Sequence, residues 1–217
     1  MIRVRAVFEK KDRAKYISHL DLNRCMLRTF RRSRLPVWYT EGFNPHPYYS
    51  FALALSLGFE SNCEILDFNL NEDIPFDEVR DRLNAVMPYG MRIVSVSEQK
   101  KKITEIAKAE YSFSLVSDDV DELFSKVNEL INQQEILTEK KTKKGIRTVD
   151  IKPDMEILSI EKSENSVDVV MRLPAGTQTN YNPTLFFDAL KNFTDIPFEP
   201  CKICRTGILC ENNEIFS

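Results

Sequence analysis

The sequence predicts an α+β fold made of two successive β-α-β-β-α-β halves. Three observations carry this reading. A strand-period alternation opens the chain, helical apolar stripes separate pairs of extended segments, and the order of elements starts again after Lys100-Lys101-Lys102. At 217 residues there is chain enough for two small domains or one large one.

In the first half, Ile2, Val4, Ala6 and Phe8 alternate with Arg3, Arg5 and Glu9, as a half-buried strand requires. Ser18-His19-Leu20-Asp21 is a Ser-x-x-acid capping box opening a helix. Pro36 disfavours helical geometry at the residue before it and so ends that helix near Arg34. Val37 to Tyr39 is extended and leads into a loop with the sequence Gly42-Phe43-Asn44-Pro45-His46-Pro47. Strands are expected at Phe51–Leu57 and Glu64–Leu70. A helix follows behind Pro75, with Phe76, Val79, Leu83 and Val86 at helical spacing, and a last strand at Met91–Val96. This order is the split ferredoxin-like unit.

The second half repeats it. Tyr111, Phe113 and Leu115 alternate. Val120, Leu123, Phe124, Val127, Leu130 and Ile131 form a helical stripe behind Asp118 and Asp119. Met155–Glu161 and Val167–Leu173 form a hairpin turning at Glu164-Asn165. Asn182-Pro183 opens a helix burying Leu185, Phe186, Ala189, Leu190 and Phe193, and Lys202–Cys210 is the final strand. An extra pair, Ile136–Lys140 and Ile146–Ile151, with a basic tip from Lys140 to Lys144, is expected as an inserted β-arm. The halves are thus residues 1–99 and 107–217, with the inserted hairpin at 135–152.

The composition is that of a globular protein, 42% apolar and 29% charged. No apolar run approaches the length of a membrane span, and no secretory segment is legible. Five cysteines without a dense framework fit a reducing compartment, so the expected location is the cytoplasm. Net charge is −3, yet residues 1–50 hold eleven basic and four acidic side chains. The remainder is correspondingly acidic, which localises anion binding to the first quarter of the chain. Solvated or internally paired arginines account for the same count.

The first helix is the most informative element. Leu22, Cys25, Met26, Thr29 and Phe30 share one side, and Arg24, Arg28, Arg31 and Arg32 the opposite arc. Guanidiniums there can grip phosphates or carboxylates bidentately, and no acidic residue four positions along offsets them. The alternative is a solvated amphipathic face. The following loop carries Tyr39, Phe43, Asn44 and His46 between stiffening prolines, a set suited to stacking on a base or another planar group. An architectural loop with its aromatics tucked inward is the competing reading. His19 and His46 are the only histidines and the only candidates for general acid–base catalysis, but no nucleophile or carboxylate dyad accompanies them. Cys201-x-x-Cys204 lacks a matching second pair, so no metal or other cofactor is expected. Walker, dinucleotide-binding and zinc-protease motifs do not occur.

The motifs Lys15-Tyr16-Ile17-Ser18-His19-Leu20-Asp21-Leu22 and Gly42-Phe43-Asn44-Pro45-His46-Pro47 resemble the bacterial radical SAM-linked protein family. This is a domain of unknown function fused to, or encoded beside, cobalamin-type radical SAM proteins. The resemblance runs on through Arg31-Arg32-Ser33-Arg34-Leu35-Pro36 and Ser50-Phe51-Ala52-Leu53-Ala54-Leu55-Ser56-Leu57-Gly58. Asp150-Ile151-Lys152-Pro153 is similar to a second motif, with lysine where arginine is usual. The resemblance implies a tandem ferredoxin-like fold reminiscent of the RAMP proteins that process CRISPR RNA. It also implies a radical SAM partner, since this chain has no C-x-x-x-C-x-x-C to hold an iron–sulfur cluster. The leading expectation is an accessory protein that is not itself catalytic and that binds a substrate, RNA foremost, for that partner. The runner-up is a RAMP-like endoribonuclease using His19 or His46 as general acid or base. A third is a protein adaptor whose arginines meet an acidic partner.

Overall fold

The computed structural model describes residues 1–142, 145–176 and 179–217. It is an α+β structure with a mostly sheet core and, among the described residues, four α-helices. The chain divides into two compact units, Met1–Ile106 with Glu214–Ser217, and Ala107–Asn213.

The first unit runs β1 (Ile2–Lys10), α1 (His19–Ser33), β2 (Tyr49–Phe51), β3 (Glu60–Leu70), α2 (Phe76–Asn84) and β4 (Met91–Glu98). β1 pairs antiparallel with both β3 and β4, and β2 adds antiparallel to β3. The alternation expected from the sequence places Val4, Ala6 and Phe8 in the core against Leu22, Met26 and Phe30 of α1 and Val79 and Leu83 of α2. Burying side chains of this size contributes about 1.5–3 kcal/mol each, which fixes α1 with its apolar stripe on the sheet and its arginines outward.

The start of α1 follows the capping-box spacing, with one change. Ser18 Oγ accepts from the Asp21 amide at 3.1 Å, but the Asp21 carboxylate takes the Ser18 hydroxyl at 2.8 Å rather than the Ser18 backbone N–H. Arg34 ends the helix in the left-handed region, φ 55°. At the same end Arg82 of α2 donates Nε to the Ser33 carbonyl at 3.1 Å and Nη2 to the Arg34 carbonyl, satisfying acceptors that a helix terminus leaves open.

The strand expected at Phe51–Leu57 is a correction. The strand is Tyr49, Ser50 and Phe51, opposite Phe68, Asp67 and Leu66, with Ala52 N donating to Ile65 O at 3.2 Å just beyond it. Residues 52–57 contain no β-branched side chain to favour the sheet. They turn away instead, with Phe59 N donating to Ser56 O at 3.2 Å and Gly58 N to Lys15 O at 2.9 Å, Gly58 itself at φ +84°.

The second unit runs β5 (Ile106–Val116), α3 (Val120–Ile131), β6 (Leu137–Thr142), β7 (Gly145–Asp150), β8 (Glu156–Lys162), β9 (Ser166–Pro174), α4 (Thr184–Phe193) and β10 (Glu199–Cys210). Its strands lie in the order β10-β5-β9-β8, while β6 and β7 pair with each other as a separate ribbon. Leu123, Val127 and Leu130 of α3 and Phe186 and Leu190 of α4 are buried with Phe113, Leu115, Val167 and Val169. Phe193, expected on the buried face of α4, is 37% exposed. Phe193 is the last residue of the helix, whereas Phe187, outside the expected stripe, is buried with its ring edge-on to Phe113 at 4.8 Å.

Candidate functional site

The exposed face of α1 carries Arg24, Arg28, Arg31 and Arg32. Three of them, Arg24, Arg28 and Arg32, line a groove of about 450 Å³ whose opposite wall is Ala85 to Pro88, the segment between α2 and β4. The walls are tied where Thr29 Oγ1 donates to Met87 Sδ at 3.8 Å. Arg24 pairs with Asp21, three positions earlier, at 3.0 Å, a spacing outside the four-residue one weighed from the sequence. The Ser18 hydroxyl and then Arg24 hold the Asp21 carboxyl below its usual range. Among the described residues Arg28, Arg31 and Arg32 form no ion pair. Cys25 sits at the groove floor, half-buried, and burial pushes its thiol up. Arg31 is exposed on the last turn of α1 and does not line the groove.

The loop that follows is a short hairpin-like excursion. Tyr39 bridges to Pro47, Thr40 N donates to His46 O at 2.9 Å, and Tyr48 N to Trp38 O at 2.9 Å. Its base is held by Trp38 N on Asn69 O, at 2.8 Å, and by the Trp38 and Tyr48 rings at 5.4 Å. His46 Nδ1 lies 3.0 Å from the Asn44 carbonyl and 3.2 Å from Thr40 Oγ1. A carbonyl only accepts, so Nδ1 is the donor in the contact with Asn44. Phe43 is fully exposed at 106%, and Tyr39, Asn44 and His46 are exposed too. The tucked-in arrangement is therefore excluded for Phe43. His46 does not line the arginine groove.

His19 is the first residue of α1, exposed, with its ring edge-on to Phe51 at 5.5 Å. Phe51 in turn meets Tyr49, whose hydroxyl donates to the Asn23 carbonyl at 3.0 Å. The histidine thus rests on an aromatic shelf beside the helix start.

All five cysteines are free, and among the described residues no three His, Cys, Asp or Glu side chains gather as metal ligands would. The second sequence motif has a structural part to play. Asp150 Oδ1 accepts from Ile136 N at 2.8 Å and from Lys152 N at 3.0 Å, clasping the root of the β6–β7 ribbon. Lys152 Nζ donates to the carbonyl of Ile131, the last residue of α3. At the ribbon, Lys140 faces Arg147 across the two strands. Lys143 and Lys144 of the expected basic tip lie outside the described residues.

Sequence reasoning missed the far wall of the groove. Val86 fits the helical spacing of α2, whereas α2 ends at Asn84 and residues 85–88 line the groove opposite α1. The turn residues Pro88-Tyr89-Gly90 were the available signal.

The family model described as "Uncharacterized protein conserved in bacteria (DUF2344)" matches residues 3–183, and the chain belongs to that family. Among solved structures it is similar to a chain of a Cbf5-Nop10-Gar1 complex, at 13% identity and a TM-score of 0.49. The match covers 94% of this chain and 48% of that one, so the chain spans about half the length of that relative. No curated protein matches. Among the described residues no helix is long and apolar enough to cross a membrane.

Proposed function

We propose that the chain is a non-catalytic accessory protein that binds RNA for a radical SAM partner, and that its two units are the halves of a tandem ferredoxin-like, RAMP-like fold. Support for the tandem reading comes from strand order. Each unit sets its fourth strand beside its first and its first beside its third, with the second on the far side of the third, once the β6–β7 ribbon is set aside.

One observation carries the binding reading: Arg24, Arg28 and Arg32 stand at four-residue intervals along one wall of a groove. Four helical residues advance about 6 Å, so the three guanidiniums form a ladder that a phosphodiester backbone can follow. The radical SAM partner rests on the sequence resemblance alone.

Crosslinking the purified chain to cellular RNA with ultraviolet light and sequencing the bound fragments tests this. The reading predicts recovered RNA and, with nuclease treatment, loss of RNA while a radical SAM partner stays associated. An acidic protein recovered in its place, with no RNA, would establish the adaptor reading instead. The endoribonuclease reading is favoured by one detail, the exposed imidazole of His46 held at Nδ1 by the Asn44 carbonyl. It requires RNA cleavage that disappears in His46→Ala.

A further inference from the structure

We infer that the arginine groove takes single-stranded rather than duplex RNA, and that Tyr89 is the platform on which one of its bases stacks. This rests on the RNA-binding reading above and narrows it to a substrate class and a specificity residue.

The two walls of the groove differ in chemistry. One presents guanidiniums, with the Asp21 carboxylate paired to Arg24 at one end; the other presents Val86, Met87 and Pro88, apolar surfaces with no charge to offer. A duplex shows a groove of this kind only phosphates, because its bases stay stacked inside the helix. A single strand shows phosphates on one side and base faces on the other. The volume of about 450 Å³ is that of a small-ligand pocket, suited to an unstacked nucleotide and too small for the flank of a double helix.

Tyr89 follows Pro88 directly at the end of the apolar wall, and its side chain is 80% exposed. The backbone that carries it is held on both sides. Met91 N donates to Pro88 O at 3.2 Å, and Gly90 O accepts from Lys11 N at 2.7 Å. Gly90 sits at φ +81°, where a Cβ would come within 2.6 Å of the Lys11 carbonyl, so no other residue permits this close approach. A large aromatic ring offered to water from so fixed a turn loses little entropy on meeting a flat partner. Stacking also explains why the ring need not read sequence, since every base has a π-face.

The test is fluorescence anisotropy with a labelled single strand of about twelve nucleotides and the matching duplex, on the full chain. Tyr89→Ala should bind the single strand about tenfold more weakly, with duplex binding and thermal unfolding unchanged, and Tyr89→Trp should restore affinity. Duplex bound as tightly as single strand, or a Tyr89→Ala variant of full affinity, would overturn the inference. If binding in those cases still depends on Arg24, Arg28 and Arg32, the RNA reading survives. No binding of either RNA by the native chain would overturn both together.

Discussion

Arg5 and Asp67 face each other across β1 and β3, and the guanidinium grips the carboxylate with two hydrogen bonds, Nε to Oδ1 and Nη2 to Oδ2, each 2.8 Å. The arginine is wholly buried. Asp67 also receives Gln99 Nε2 at 2.9 Å, and the Phe216 ring lies 4.1 Å from the guanidinium carbon. Among the described residues Nη1 has no hydrogen-bond partner, so the cluster is not fully satisfied there.

Removing one member of a buried pair leaves the other charge stranded, at a cost of about 3–5 kcal/mol. Asp67→Ala should therefore lower the unfolding free energy by that amount in a denaturant titration. Replacing both, as Arg5→Met with Asp67→Leu, should recover most of the loss. Equal instability in the double variant would show that the pair is needed for more than charge balance.

Asp150 predicts a local effect. Asp150→Ala removes the acceptor for Ile136 N and Lys152 N at the root of the ribbon. Each unpaired buried donor costs about 1–3 kcal/mol. The amides of residues 136 and 152 should exchange faster with deuterium while those of β1 and β3 in the first unit keep their native rates.

Asp168 predicts a pH dependence. The hydroxyls of Ser114, Ser163 and Ser166 all donate to its carboxylate, and Ser114 above all holds its pKa below the ordinary 3.8. A carboxyl with a lowered folded-state pKa contributes stability that is complete above the unfolded value and fades as pH falls through the folded one. The stability gap between the native chain and Asp168→Asn should stay level from about pH 7 to 5 and close below about pH 4.

The loop from Tyr39 to Pro47 predicts separable effects. Phe43 and His46 are exposed, so Phe43→Ala with His46→Ala should change stability by no more than about 0.5 kcal/mol for each. A role in RNA contact shows as weaker binding by the same variant at unchanged melting temperature.

Elements with a strong period were legible from the sequence. The β1 alternation buries Val4, Ala6 and Phe8 and the α1 stripe Leu22, Met26, Thr29 and Phe30, because one face of each element meets the core. Arg5, on the polar side of the alternation, is buried as well. Phe51–Leu57 fails as a strand because apolar content alone does not make one, and the ladder to β3 has its last registered pair at Phe51. At the site, the exposed arginines were readable from helical angles alone. The ion pair on that face was not legible from the four-residue spacing, since Asp21 lies three residues before Arg24. The apolar wall at 85–88 needed tertiary structure, because nothing local tells a segment which helix it will cross.

The most direct measurement of the central claim is the salt dependence of RNA affinity for the native chain and for Arg24→Glu/Arg28→Glu/Arg32→Glu. These side chains point away from the core, so the triple variant should unfold with the same cooperativity as the native chain. Each phosphate contact on a single strand adds about 0.7 to the slope of log affinity against log salt. The account predicts that the variant loses measurable binding at moderate salt and that any residual slope is shallower by about 2. A variant that stays folded and keeps native affinity and slope would contradict it.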